Sequence, residues 1–170
     1  MRNIKNYLSY ALFIGIGLYL ISMFVIKGGS ASNGDKAPDF EAELIDGSGF
    51  RLSDLRGDYV LLDFWGSWCG PCRRENPHIA ALYKKYDGKL KVVTIALEKN
   101  LKHWKKAADY DGFTWKYQIV EQSRLVMLSA LARKYGVTNL PTKFLITPEG
   151  ELMSDLSFEK MDAVLAEKIK

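Results

Sequence analysis

Cys69 and Cys72 are the only cysteines among 170 residues, and they stand in the run Trp68-Cys69-Gly70-Pro71-Cys72. A two-residue spacer on one helical turn brings both sulfurs close enough to close and open a small disulfide ring, a two-electron change. The attacking species is the thiolate, and a helix N-terminus lowers a cysteine pKa from about 8.5 into a range of about 3.5 to 7.5. Cys69, at the mouth of the helix, is therefore the expected nucleophile, and Cys72, one turn deeper, the expected resolving thiol. Pro71 suits the first turn, where its missing N–H costs nothing, and Gly70 lets a partner chain approach the sulfur. Arg73 and Arg74 add positive charge nearby, as a solvated face also would.

A buried strand must deliver this turn. Residues 59–65 are apolar on both alternating faces except for Asp63, the pattern of a central strand covered on both sides. A carboxylate there is expensive: burial should raise its pKa toward neutrality, where it can exchange a proton. The competing reading turns Asp63 to water at a strand end. Residues 90–97 form a second buried strand, and the helix from Cys69 to about residue 87 should cross over between the two, making them parallel. Hairpins are expected at 40–45 with 50–52 and at 143–146 with 151–154. Helices are expected at 100–110, at 123–135 ending at Gly136, and at 158–169 capped by Ser157.

Residues 61–72 resemble thioredoxin, as does Pro77, eight residues past Cys69, where that family kinks its first long helix. The run Thr138-Asn139-Leu140-Pro141-Thr142-Lys143-Phe144-Leu145-Ile146 resembles the family's segment with a cis-proline, which would be Pro141. Ala37-Pro38-Asp39-Phe40, residues 47–57 and Arg73-Arg74-Glu75-Asn76-Pro77 are similar to the membrane-anchored, extracytoplasmic TlpA-like branch. The resemblance covers residues 36–170. It implies an α/β thioredoxin-like fold, a central mixed sheet flanked by helices, with an N-terminal transmembrane helix. It implies a thiol-disulfide oxidoreductase in which Asp63 deprotonates Cys72, Glu75 tunes the pair, and Trp68, Gly70, Pro71, Leu140 and Pro141 meet the substrate. Members of this branch often carry a neutral residue at the strand position, whereas this chain keeps Asp63, so two acids stand beside one dithiol. The Gly-Pro spacer implies a reductant, associated in this branch with cytochrome c maturation and other envelope substrates. In an oxidising compartment a reductant needs resupply, which points to a membrane electron donor. No cofactor is implied.

Residues 8–26 are 19 in a row without a charge, about the length that crosses a bilayer core. They exceed the roughly 7 to 15 residues of a signal-peptide core, which favours an uncleaved anchor (1–27) over processing near Gly29 and Ala31. Arg2 and Lys5 before the span, with only Lys27 after it, place the domain outside, in the periplasm or its equivalent. Residues 28–35 read as a flexible tether.

The formal net charge of +4 is mostly the anchor's. Arg2, Lys5 and Lys27 are three of 24 basic residues and all 20 acids follow Ser30, leaving the exported part at +1, without a nucleic-acid footprint. Lys99, Lys102, Lys105 and Lys106, with His103 and Trp104, read as one solvated helix face or, less often, a docking surface.

Rival readings of the dithiol are weaker. A closed zinc site needs four ligands, and only His78 and His103 could supplement the two thiols. A purely structural disulfide across so short a loop stabilises little. Met127, Met153 and Met161 could make a copper carrier, but methionines more often fill core gaps. Pro38-Asp39-Phe40 also resembles the opening of thiol peroxidases of the same fold, whose peroxidatic cysteine lies in a threonine-containing loop that the Gly-Pro dithiol replaces here.

Overall fold

A strand that is apolar on both faces needs a layer on each side, and residues 59–65 sit at the centre of a sheet that supplies one. The computed structural model describes residues 2–26, 31–123 and 126–169, without the side chains of 2–6, 8, 22–26 and 127. In chain order the elements are α1 (Arg2–Ile26), the hairpin β1 (Glu41–Glu43) and β2 (Gly49–Arg51), β3 (Tyr59–Trp65), α2 (Gly70–Lys85), β4 (Leu90–Glu98), α3 (Leu101–Tyr110), β5 (Tyr117–Gln122), α4 (Ala130–Lys134), β6 (Thr142–Ile146), β7 (Leu152–Met153) and α5 (Phe158–Lys168). The main sheet runs β5-β4-β3-β6-β7, with β3, β4 and β5 parallel and β6 and β7 antiparallel additions.

Each face of β3 has its own core, because successive side chains point to opposite sides. Leu62 and Phe64 join Tyr135, Phe144, Phe40 and Phe50 in one layer, beneath α4 and the β1–β2 hairpin. Leu61 and Trp65 join Cys72, Ile79 and Leu82 of α2, Trp104 of α3, and Met161 and Leu165 of α5 in the other. The connections β3–α2–β4 and β4–α3–β5 step the same way across the sheet, so both helices land on one face. Asp63, between Leu61 and Trp65, faces that same layer.

The parallel pairing of β3 with β4 and both hairpins are as expected, with β1 and β7 shorter and β6 one residue longer. Ser157 caps α5 by accepting a hydrogen bond from the Lys160 N–H. Three expectations are corrected. The helix expected at 123–135 is only α4, preceded by a 3-10 turn at Val126–Leu128, because Ser129 caps the helix late by accepting from the Ala132 N–H. Tyr117–Gln122, assigned no element from the sequence, is the edge strand β5. Trp104 does not share the lysine face of α3: it is buried against the sheet, and Lys99 lies before the helix.

Part of the expected tether, residues 28–30, lies outside the described residues. From Ala31 the chain is laid on the domain: the Gly34 N–H donates to the Leu152 carbonyl, and the Ser154 N–H donates to Asn33 Oδ1. The expected span at 8–26 falls within α1, with the side chains of 8 and 22–26 outside the description. Among the described residues no helix is long and apolar enough to cross a membrane.

Candidate active site

The dithiol sits where β3 stops and α2 starts. Cys69 is the N-cap of α2: its backbone is extended, and its sulfur accepts a hydrogen bond from the Cys72 N–H at 3.2 Å. Pro71 stands in the first turn and Pro77 inside the helix, both at positions the sequence suggested. The two sulfurs are bonded at 2.04 Å, with the Cα atoms 5.3 Å apart. They are not equivalent. Cys69 retains 6% exposure next to the exposed Trp68, Gly70 and Pro71, whereas Cys72 has none.

The loop before Cys69 is pinned to the end of β4. The Ser67 N–H and hydroxyl donate to the two oxygens of Glu98, at 2.5 and 2.9 Å, and Glu98 is itself buried. The Trp68 indole N–H donates to the Leu97 carbonyl at 2.8 Å, which leaves the ring outside and 47% exposed. Gly66 makes this possible, since a Cβ there would lie 2.8 Å from Trp68 Nε1 and 3.1 Å from the Leu97 carbonyl oxygen.

Leu140–Pro141 is a cis peptide, immediately before β6. The pairing of Phe64 with Thr142 brings this loop to the end of β3 from which the cysteine loop leaves. Leu140 is half-buried against both core layers, including the one that contains the cysteines, while Pro141 is partly exposed.

Asp63 is 1% exposed, which removes the water-facing reading. Burial pushes its pKa up to about 7; the nearby Glu75 pushes the same way and the Lys143 ammonium opposes both. Its Oδ2 has no hydrogen-bond partner. Lys143 is the cross-strand neighbour of Asp63, and its ammonium lies 2.6 Å from Glu75 Oε2 and 4.9 Å from the centre of the Phe158 ring. Glu75 and Lys143, paired with each other, thus both act on Asp63, in opposite directions.

Lys143, Glu98 and Ser67 were not singled out from the sequence. Lys143 carried one signal, a charge inside an otherwise buried strand beside a proline. Glu98 carried only its place at the end of an apolar run. Arg73 is also reassigned: its guanidinium grips the buried Asp111 at 2.5 and 2.8 Å, and Asn76 donates to the same carboxylate at 2.6 Å. Its charge is taken up in tying α2 to the end of α3. Among the described residues no group of three His, Cys, Asp or Glu side chains could hold a metal ion. His78 is exposed and stacks on Phe158, Met161 is fully buried, and Met153 packs against the same core; the Met127 side chain lies outside the described residues.

A fully buried thiol in the layer that a buried acid faces, with a second thiol that keeps slight exposure at a helix mouth, is an arrangement for passing a disulfide between proteins. Known proteins agree. The profile of the AhpC/TSA family matches residues 33–154. The thiol-disulfide oxidoreductase ResA of Bacillus thuringiensis is 30% identical over 155 residues, 91% of this chain and 87% of that protein. ResA of Geobacillus kaustophilus is 33% identical over 142 residues, covering 83% and 78%. Among solved structures, the thioredoxin domain of a thiol-disulfide oxidoreductase from Bacteroides vulgatus superposes with a TM-score of 0.72 at 25% identity, over 83% of this chain and all of that one. With its thioredoxin-like fold and its dithiol, the chain belongs to the AhpC/TSA family and, within it, to the ResA- and TlpA-type thiol-disulfide oxidoreductases.

Proposed function

We propose that this oxidoreductase works as a reductant of protein disulfides outside the cytoplasmic membrane, to which α1 tethers it. The observation that carries the reading is the inequality of the two sulfurs, with an acid of raised pKa in the layer that buries the inner one. The Cys69 thiolate attacks one sulfur of a substrate disulfide; a Cys69–substrate bond forms, and the other substrate sulfur leaves as a thiolate. Cys72 then gives its proton to Asp63 and attacks Cys69 Sγ. The substrate's second sulfur departs, and the Cys69–Cys72 bond is left behind. Two electrons have moved to the substrate, and a membrane thiol donor returns them by the reverse exchange.

Several features support the placement. α1 carries Leu12, Phe13, Ile14, Leu18, Leu20 and Ile21 exposed around its surface, the distribution of a helix whose solvent is lipid. Residues 8–26 carry no charge, and the basic residues before them favour an outside domain. Export also fits a chain whose only cysteines form an exchangeable pair. Apocytochrome c thiols are one substrate class that this branch suggests.

Equilibration of the purified chain against glutathione or dithiothreitol couples tests the direction. The reading expects a potential of about −250 mV or lower; a value near the about −120 mV of strong oxidants reverses it. Peroxide reduction is the second reading, favoured by the family profile. Turnover of hydrogen peroxide faster than of protein disulfides would select it.

A further inference from the structure

A groove of about 350 Å³ opens beside the dithiol, between the first turn of α2 and the outer face of α3. Its walls include Ser67, Trp68, Arg73, His103, Lys106 and Tyr110. One wall is thus Trp68, the residue before Cys69, so the groove opens next to the dithiol loop. Trp68 and Tyr110, 47% and 85% exposed, are large aromatic surfaces, and the Arg73 guanidinium lies 5.7 Å from the centre of the Tyr110 ring. Lys99 holds its ammonium 5.3 Å from the centre of the Trp68 ring.

The charge around this groove is one-sided because the neighbouring acids are committed elsewhere. Asp111 is held by Arg73 and Asn76, Asp109 pairs with Lys105, and Glu98 is buried on Ser67. Lys99, His103 and Lys106 are exposed, and among the described residues no ion pair reaches them. Two ammonium groups outside any ion pair among the described residues, with two exposed rings beside a nucleophile, make a surface complementary to carboxylates and apolar side chains together.

We propose that this groove receives an acidic segment of the protein substrate, lying next to the disulfide that Cys69 attacks. The inference rests on the oxidoreductase reading and adds a substrate class to it. An anionic lipid surface would also answer the lysines, but a concave site walled by Trp68 and Tyr110 fits a peptide segment better than a plane of headgroups.

The test uses the reduced full-length chain in detergent and two disulfide-bonded peptides that differ only in flanking Glu or Gln residues. The wild type should react about tenfold faster with the Glu peptide at low ionic strength, and about 0.5 M salt should remove most of the difference. Lys99→Glu with Lys106→Glu should abolish or invert the preference while reducing the uncharged 2-hydroxyethyl disulfide at the wild-type rate. Lys99→Gln with Lys106→Gln, a milder change, should abolish it without inversion, and serves if the reversal does not fold. A wild type without preference, or variants that keep it, overturns the proposal. So does a variant that loses binding to phosphatidylglycerol vesicles yet still prefers the Glu peptide, which assigns the lysines to lipid. Failure of the wild type on 2-hydroxyethyl disulfide sinks the oxidoreductase reading itself, and is thereby distinguished from failure of the groove.

Discussion

With Asp63 sealed against Leu61 and Trp65, its carboxyl keeps a proton to about pH 7 in the folded chain but releases it near 3.8 when unfolded. Between those values the folded state binds the extra proton, so the group's contribution to stability falls as pH rises and the full cost stands above pH 7, about 4 kcal/mol. Asp63→Asn should therefore stabilise the oxidised protein by about 2 to 4 kcal/mol at pH 8 and by little at pH 4. Urea unfolding at the two values checks this; an equal gain at both refutes the buried acid. Asp63→Ala should slow release from the mixed disulfide more than initial attack, as rapid-mixing kinetics can separate. Lys143 opposes the rise in the Asp63 pKa, so Lys143→Met should move the pH dependence of that release upward, and a profile that stays put or moves down refutes the coupling. The cysteines and Asp63 were legible because each residue type announces its chemistry on its own, and the cis Pro141 because residues 138–146 resemble the thioredoxin segment that carries one. Lys143 and Glu98 were not, because their partners are chosen by strand pairing and by a loop's return, which no local pattern records.

At the scale of elements, the site depends on three ends meeting: the end of β3, the start of α2 and the cis-proline entry to β6. Gly66→Ala should push the Trp68 indole off the Leu97 carbonyl, costing about 1 to 3 kcal/mol of stability and slowing protein disulfides more than small ones. Asp111→Ala strands Arg73 and Asn76 at the α2–α3 junction and should destabilise the fold by about 3 kcal/mol, read by thermal or urea unfolding. The central strands β3 and β4 could be read ahead because long two-faced apolar runs admit few other structures. The edge strand β5 escaped because its six residues mix polar and apolar side chains, with Ile119 and Val120 facing opposite cores. The length of α4 escaped because Ser129 competes for its own backbone in the middle of a helix-favouring run.

On the scale of the whole molecule, the chain is already bonded to Ser154 at Asn33 and to Leu152 at Gly34, so any tether between α1 and the domain is shorter than residues 28–35. On the anchored placement proposed above, so short a tether keeps the active site close to the bilayer. Intact mass of protein extracted from membranes should correspond to the full chain, and a product beginning after Ala31 would refute the anchor. The dithiol's division of labour is tested most directly by trapping in the native envelope. Cys72→Ser should accumulate mixed disulfides on Cys69 with partner proteins identifiable by mass spectrometry, and Cys69→Ser should accumulate none. Equal trapping by both variants, or adducts found on Cys72 instead, would contradict the assignment of Cys69 as the attacking sulfur.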